Sequence, residues 1–466
     1  MGSAIGGLTL TLARAQEEEE LPEQPTWTAP AAPGVRAEDS SIAEDGSTTT
    51  ATPTPEPTPP PKPLPPFILE PDESTLGVPV DQGWNLPDFS DTSSWFQMQG
   101  LRMRVGPLQL RFDLDLNVGY NDNIFGTNFP KVGDYVSTIS PTIEAGIGEY
   151  PRPRQLVPLS EQQNYFYLRY TPSFLFFAEN PAQNATNENL TIAGRYTFRR
   201  LVLDGAFSYV TTTNPTPTDI GRQQYNTTSL NIKASYALST KTFLQVIAAG
   251  SYQDYPEIPN TATTTVSIAP ALGYQFSKKL RLTLGPTAGV SYFESGGEQP
   301  FQSVNLGFTY DTTHKLQFEG SVGIQRTEGN SNSSDDGDFT SPVFSLGATY
   351  TIDNTSSIAL DLARNVSTGG TSNGETYIQT AISASYQKRI WSRIQLDLTG
   401  SYQVYDYQGV GARTDTYIVF NVRVGYLFWQ QRCSVYVTYV RNQRISDISA
   451  YEYDSNFLGT GINVQF

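Results

Sequence analysis

The chain alternates apolar and polar residues over most of its length. From residue 108 to residue 120, Leu, Phe, Val and Tyr hold the even positions, while Gln, Arg, Asp, Asn and Gly hold the odd positions. Successive side chains of a β-strand point to opposite faces, so this pattern predicts a strand with one apolar and one polar face. Such a strand exceeds the roughly 5–6 residues usual in globular proteins and suits a tilted bilayer span, which needs about 9–11 residues.

The same alternation continues to the C-terminus and predicts eighteen strands. We expect them at residues 108–120, 134–147, 163–178, 188–199, 201–211, 225–238, 242–253, 263–276, 280–293, 302–311, 316–327, 342–351, 357–365, 376–387, 392–405, 416–428, 433–444 and 456–466. Tight turns such as Arg199-Arg200 alternate with longer polar loops such as 212–224, with the connection 148–162 as the exception. An even strand number with short turns at one end and long loops at the other predicts a transmembrane antiparallel up-and-down β-barrel of about 18 strands, an all-β fold.

Tyrosines mark both ends of the predicted strands. On the apolar parity, one set precedes the tight turns and another stands at the opposite strand ends. The first set is Tyr196, Tyr236, Tyr274, Tyr310, Tyr350, Tyr386 and Tyr426; the second is Tyr120, Tyr209, Tyr252, Tyr292, Tyr402 and Tyr439. Two rings of outward aromatic residues are what two membrane–water interfaces favour. The repeat holds two long strands rather than the four short strands of a propeller blade, so a propeller is rejected.

Composition agrees with this interpretation and removes other classes of protein. Only 38% of the residues are apolar and no run of about 18 apolar residues occurs, so no transmembrane helix is predicted. The formal net charge is −16 and no Lys/Arg-rich patch is evident in the sequence, so nucleic acid is not an expected partner.

The sequence offers little for metal or redox chemistry. It contains one histidine, His314, and one cysteine, Cys433, which excludes a multi-histidine metal site, a disulfide within the chain and a cysteine zinc cluster. We expect His314 in a solvated turn and Cys433 as an inert residue, so neither an enzyme nor a cofactor is predicted. The acidic loop 330–338 is interpreted as a hydrated loop, with a calcium site as the alternative.

The N-terminal part differs from the rest. Residues 1–74 hold 13 acidic and 3 basic side chains, out of 46 and 30 in the whole chain. Residues 1–15 are predicted to be a truncated signal peptide, because Ala13-Arg14-Ala15 follows a short apolar stretch. Residues 16–66 are predicted to be a disordered, acidic, Pro-rich periplasmic linker. Residues 67–107 form a pre-barrel segment that either docks on the barrel or plugs it, and residues 108–466 form the outer-membrane β-barrel.

The C-terminus has the form of an assembly signal. Alternation runs through Leu458, Ile462 and Val464 to the terminal aromatic residue Phe466. This ending resembles the last strand by which outer-membrane barrels are recognised, so the barrel-assembly machinery and outer-membrane lipid are expected partners.

Several of these features resemble one known group, the β-barrel porin family of the type called beta-barrel porin 2, associated with exopolysaccharide or exosortase loci. The resemblance rests on Val105-Gly-Pro-Leu108, on Tyr120-Asn-Asp-Asn-Ile-Phe125, and on Asp134 with Ser140-Pro141 in the second strand. It covers roughly residues 100–466, mostly as architecture. It implies an outer-membrane location and a role near polysaccharide export, and it implies no catalytic residues.

The polar parity is where a transport function would lie. Its pore-lining candidates are Arg111, Asp113, Asp115, Glu144, Arg169, Arg195, Lys233, Arg281, Glu319, Asp361, Asp397 and Arg423, to which Arg199 and Asp204 add one charge of each sign. Charged residues on an inner wall require water or charged partners, and barrels of 16–18 strands leave an aqueous channel. We therefore expect a porin with a water-filled channel for small hydrophilic solutes or a polysaccharide, with both termini in the periplasm. The alternative is a plugged structural or adhesive barrel; the sequence leaves the solute and the oligomeric state open.

Overall fold

The computed structural model describes residues 103–148, 164–213, 222–259, 261–313, 315–329, 338–353, 355–367, 376–391, 393–408, 412–429 and 432–466. The predicted signal peptide, the Pro-rich linker, most of the pre-barrel segment, His314 and residues 330–337 lie outside these ranges.

The described part of the chain is built almost entirely from β-strands. They are β1 Met103–Val105, β2 Leu108–Asn121, β3 Asp134–Ile147, β4 Tyr165–Phe177, β5 Ala185–Phe198, β6 Leu201–Thr212, β7 Tyr225–Ala237, β8 Thr242–Asp254, β9 Thr263–Gln275, β10 Leu280–Phe293, β11 Glu298–Thr313, β12 Leu316–Thr327, β13 Phe339–Asp353, β14 Ser356–Ser367, β15 Tyr377–Ile390, β16 Ile394–Tyr407, β17 Thr414–Phe428, β18 Cys433–Ser446 and β19 Tyr453–Gln465. Two 3-10 turns, Pro181–Gln183 and Ser449–Tyr451, interrupt the loops.

Strands β2 to β19 form a closed antiparallel barrel of eighteen strands. Each strand pairs with its neighbours in sequence, and β19 closes the ring by pairing with β2, where Leu458 lies opposite Tyr120. The short strand β1, which the alternation did not predict, extends β2 as a hairpin. The predicted fold class is therefore confirmed.

The predicted strand boundaries agree with the structure to within a few residues. The predicted strands 134–147, 280–293 and 316–327 coincide with β3, β10 and β12. The largest differences are extensions, since β11 begins at Glu298 rather than residue 302 and β13 begins at Phe339 rather than residue 342. Backbone pairing continues past the apolar band into polar residues, where alternation gives no signal.

The outer face of the barrel is apolar. Ile268, Leu284, Val322 and Ile324 are each at least half exposed on this face, where an ordinary soluble protein would carry polar side chains. The first tyrosine set and the second both lie on the outer face, as predicted, and Trp391 and Trp429 are exposed beside the first. An aliphatic band between two aromatic rings is the surface of a barrel in hydrocarbon.

The two ends of the barrel differ, and we name them by their connections. The turn end holds seven tight connections, residues 199–200, 238–241, 276–279, 314–315, 354–355, 391–393 and 429–432, together with the start of β2 and the end of β19. The loop end holds the longer connections, except for the connection 148–164, which joins β3 to β4 at the turn end. Phe466 lies just beyond β19, exposed on the outer face, and its backbone N–H donates to the carbonyl of Phe112.

The two faces of β13 allow a matched test of this arrangement, in which apolar side chains face outward and polar side chains face inward. Leu346 lies on the outer face at the middle of the strand, whereas its neighbour Ser345 is exposed on the inner face. Leu346→Arg should destabilise the barrel by about 2–4 kcal/mol, because the charge enters hydrocarbon near the bilayer midplane. Ser345→Arg should cost much less. Folded fractions in lipid during a urea titration measure both, and equal losses would contradict the assignment of the faces.

Candidate functional site

All twelve predicted wall residues lie on the inner face of the barrel. Six of them are buried, namely Arg111, Asp113, Asp115, Glu144, Asp397 and Arg423. The others, Arg169, Arg195, Lys233, Arg281, Glu319 and Asp361, are half-buried. Together they lie in the half of the barrel toward the turn end or near its middle, and the structure joins many of them into ion pairs.

The first group of ion pairs crosses β2, β3 and β4. Arg111 Nε lies 2.8 Å from Asp113 Oδ2, and its Nη1 lies 3.5 Å from Glu144 Oε2. Arg169 Nε lies 3.8 Å from Glu144 Oε1. Glu144 is directly opposite Arg111 on one side and Arg169 on the other, so strand register alone places the opposite charges together. The group carries no net charge.

The second group crosses β5, β6 and β7. Arg195 Nε donates to Asp204 Oδ1, and Lys233 Nζ lies 3.3 Å from Asp204 Oδ2. Asp204 is opposite both cations in the strand register. One carboxylate between two cations leaves this part of the wall with one positive charge in excess.

The third group joins the strands on either side of the barrel seam. Tyr436 of β18 donates its hydroxyl to Asp115 Oδ1 of β2 at 2.6 Å, across the intervening strand β19. Arg423 stacks on the Tyr436 ring, with Cζ 3.4 Å from the ring centroid, and its Nη2 lies 3.7 Å from Asp115 Oδ2. Asp397 is directly opposite Arg423 in the register of β16 and β17.

A glycine makes the crossing of β19 physically feasible. Gly461 lies opposite Tyr436 on one side and Asn117 on the other. A Cβ atom at Gly461 would lie 2.4 Å from the Tyr436 hydroxyl oxygen, so any larger residue would displace the ring. Asn117 donates its amide to the same hydroxyl at 3.1 Å.

The remaining three predicted residues are spread over the other half of the wall. Arg281 Nε donates to Gln275 Oε1 at 3.0 Å, and its guanidinium lies 5.4 Å from the Phe243 ring centroid. Glu319 lies opposite Gly347 in the register of β12 and β13, and Asp361 lies opposite the same glycine from β14. Arg199, which the sequence also placed on the polar parity, lies instead in the tight turn between β5 and β6.

The charges are grouped by sign around the ring. On the inner face of the described strands, β4 to β10 carry Arg169, Arg195, Lys233 and Arg281 with one acid, Asp204. On the same face, β11 to β16 carry Asp311, Glu319, Asp361 and Asp397 with one base, Arg389. The two arcs occupy different parts of the closed ring. The inner face therefore produces an electrostatic field across the lumen although its net charge is small.

The wall of β8 to β13 is lined near mid-barrel mainly by small side chains. The inner positions of β9 include Thr263, Thr265, Ser267, Ala269, Ala271 and Gly273, and those of β10 include Thr283, Gly285, Thr287, Gly289 and Ser291. These side chains project less far from the wall than the long charged and aromatic side chains near the seam between β19 and β2.

Sequence reasoning missed a cluster of aromatic and charged residues on the inner face at the loop end, which we call the aromatic cluster. It comprises Tyr377, Tyr405, Tyr407, Tyr417, Tyr451, Tyr453, Arg413, Asp415 and Arg444. Arg444 Nη2 donates to Asp415 Oδ2 at 2.6 Å, and Arg413 Nε donates to the same oxygen at 3.1 Å. The Arg413 guanidinium lies 3.7 Å from the Tyr407 ring centroid and 4.0 Å from that of Tyr451. The signal that could have found them is that Asp415 and Arg444 occupy the same alternate positions as the inward residues Arg423 and Tyr436. Asp415, however, lies just before one predicted strand, and Arg444 is the last residue of the next.

The loop between β2 and β3 packs against this cluster from inside the barrel. Ile124 is 3% exposed and belongs to the same apolar core as Tyr405, Tyr417 and Tyr453. Asn123 donates its amide to the carbonyls of Thr127 and Asp454. The Asp-Asn motif at 122–123 is therefore part of a hydrogen-bonded turn that directs this loop inward.

No group of three or more potential metal ligands occurs among the described residues. The described end of the acidic loop, Asp338, pairs with Arg326, whose hydrogen bond lowers the pKa of the carboxyl group. The calcium alternative concerned residues 330–338, most of which are not described. Cys433 is the first residue of β18, where a strand was predicted to begin, and it is buried.

The barrel is a closed ring of eighteen strands with an apolar outer face, two aromatic rings and a charged inner face. These features together are characteristic of barrels that span the bacterial outer membrane. The protein has the architecture of an outer-membrane β-barrel. Within the described ranges, no helix is long and apolar enough to cross a membrane.

Comparisons with known proteins give a family match to part of the chain and distant matches to solved structures. Residues 171–292, from β4 to β10, match the family model described as "Putative MetA-pathway of phenol degradation". No curated protein matches the chain.

Among solved structures, the chain is similar to OpdK of Pseudomonas aeruginosa with vanillate, at 12% identity and a TM-score of 0.39, covering 77% of this chain and 99% of that one. It is similar to OccAB4 of Acinetobacter baumannii at 10% identity and a TM-score of 0.39, covering 79% and 99%. OccK2 (OpdF) of Pseudomonas aeruginosa with glucuronate gives 12% identity and a TM-score of 0.40, covering 77% and 98%. Vanillate and glucuronate belong to those proteins, and such similarity carries no inference about the solute of this chain.

The stability of the aromatic cluster should depend on the carboxylate of Asp415. The side chains of Asp415 and Arg444 are fully buried, and that of Arg413 is 2% exposed. Asp415→Asn should lower the free energy of unfolding by roughly 3–5 kcal/mol, because it removes the charge that both buried cations contact. Urea titration of the folded barrel in micelles, followed by heat-modifiable gel migration, measures the change.

Asp338→Asn is the matched control. It breaks an ion pair of the same chemistry at the loop end, in which the side chains are 63% and 52% exposed. Exposed pairs contribute less than about 1 kcal/mol. An equal loss in both variants would show that burial of the cluster does not matter to stability.

Proposed function

We propose that the protein is an outer-membrane porin whose barrel encloses a water-filled channel for hydrophilic solutes. The observation that carries the proposal is the inverted polarity of the closed barrel. Apolar residues cover the outer face, while twelve charged candidates lie on the inner face. Charged side chains are stable on such a wall only where water or opposite charges meet them.

The size of the ring supports a channel rather than a filled core. Side chains can fill a barrel of about eight strands, whereas barrels of about 16–18 strands leave an aqueous passage. The wall of small residues on β9 and β10, and the exposed Ser345 on the inner face of β13, favour a passage on that side. The twelve wall residues are proposed to line it, with their ion-pair groups forming the opposite side.

The charges of the wall favour weak ion selectivity. The first ion-pair group is neutral, and the sign-grouped arcs nearly balance over the whole ring. A channel for an acidic polysaccharide would carry an excess of Arg and Lys at its constriction. A link to exopolysaccharide export therefore rests only on the sequence resemblance, and small solutes of either charge are the better proposal.

Conductance of the purified protein in planar bilayers tests the channel. We expect discrete single-channel openings and reversal potentials close to zero under a salt gradient, because neither ion meets a wall of one sign. A strong anion preference would instead support a polyanion exporter. The absence of conductance would support the second candidate, a plugged structural barrel, which is favoured by the aromatic cluster and the inward loop between β2 and β3.

The orientation of the barrel is part of the proposal. In bacterial outer-membrane barrels, short turns face the periplasm and long loops face outward. The turn end carries both ends of the barrel chain, so we place both termini in the periplasm, where the assembly machinery would read Phe466.

Protease treatment of intact cells tests this orientation. The connection between β12 and β13, residues 328–338, belongs to the loop end and should be cleaved from outside. Cleavage at the tight turn 276–279 should require lysis. The reverse pattern of access would place the termini outside the cell.

A further inference from the structure

The two ends of the barrel carry opposite charge. Of the seven tight turns, six contain Lys or Arg and none contains Asp or Glu, while the eighth connection at this end, 148–164, contains two residues of each sign. The nine connections at the loop end contain twelve Asp or Glu and three Lys or Arg. This difference is independent of the inner wall, so the proposed channel does not account for it. We call the basic residues of the tight turns the basic rim.

Side chains of the basic rim are held beside outward aromatic residues. Arg393 Nη1 donates to the Tyr426 hydroxyl at 3.3 Å, and the Arg199 guanidinium lies 5.7 Å from the Phe198 ring centroid. Tyr426 and Phe198 are 43% and 56% exposed on the outer face. Aromatic residues in such a ring mark the level of the lipid headgroups, so these cations lie at that level on the lipid side of the barrel.

Other members of the rim bridge neighbouring turns. Lys279 Nζ donates to the carbonyl of Thr312 at 2.9 Å, and Lys315 Nζ donates to that of Ile352 at 2.9 Å. Both lysines are exposed. An ammonium group has three donors, so one carbonyl contact positions the charge and does not exhaust its capacity for a phosphate oxygen.

We propose that the basic rim binds the phosphate groups of anionic phospholipids in the membrane leaflet at the turn end. The inference rests on the membrane location in the proposed function and adds a ligand class that the channel does not require. Lysine and arginine near a membrane surface attract anionic lipid, and Arg donates to phosphate in a bidentate geometry. The acidic N-terminal segment, with 13 acidic side chains in residues 1–74, is the competing anion. Lipid is favoured because Arg393 and Arg199 lie beside aromatic residues that face outward.

Two rim tryptophans supply a direct test in the full chain. Trp391 and Trp429 are 84% and 62% exposed and lie in the same turns as Arg393 and Arg432. The other three, Trp27, Trp84 and Trp95, are replaced by Phe so that emission comes from the rim. The protein is reconstituted in phosphatidylcholine vesicles that contain a minor fraction of either brominated phosphatidylglycerol or brominated phosphatidylcholine, which quench nearby tryptophan.

We expect brominated phosphatidylglycerol to quench about twofold more than brominated phosphatidylcholine at the same fraction, because the rim enriches the anionic lipid. High salt should reduce the excess. The double variant Arg393→Gln/Arg432→Gln should abolish it, while Arg326→Gln, which removes an exposed cation at the loop end, should retain it.

Equal quenching by the two lipids would overturn the proposal. If the excess appears only after deletion of residues 16–66, the acidic segment rather than lipid occupies the rim, and the proposal is also wrong. No quenching by either lipid would overturn the membrane location together with the rim. A rim that selects lipid in a protein without conductance would reject the channel alone.

Discussion

The structure depends on one constraint, which is that hydrocarbon offers no partner for a backbone N–H or C=O group. A sheet in such a solvent has to close, because an open edge strand would leave a row of polar groups unpaired. Here the closing pair is β19 with β2, joined from Phe457 opposite Asn121 to Gln465 opposite Asp113. Closure reverses the usual arrangement of a globular protein, since the apolar faces of all eighteen strands point outward and the polar faces point inward.

This reversal places charges where they have to find partners or water. Strand register supplies some of these partners. Glu144 is opposite both Arg111 and Arg169. In the same way, Asp204 is opposite both Arg195 and Lys233. Long side chains that cross a strand supply other partners, as Tyr436 does when it passes over Gly461 to reach Asp115. Breaking a buried pair by removing one member costs more than the pair contributes, so these contacts constrain the wall more than they stabilise it.

The barrel is also asymmetric in two directions. Around the ring, large and charged residues fill the wall near the seam, while small residues line β9 and β10. Along the axis, basic turns at one end are opposed by acidic loops at the other. The first asymmetry concerns the inner face, and the second distinguishes the two ends of the barrel. Neither follows from the fold class, since an eighteen-strand barrel can be built with a uniform wall and neutral ends.

The sequence by itself determined the strands, their faces and the position of the aromatic rings. A period of two is a local property, so Leu114 and Asp115 reveal their faces without knowledge of their neighbours. It could not determine which inner residues meet. Tyr436 and Asp115 are 321 residues apart, and Arg444 reaches Asp415 from the next strand. Those contacts depend on ring closure, on register and on the absence of a side chain at Gly461, all of which arise only when distant strands are brought together.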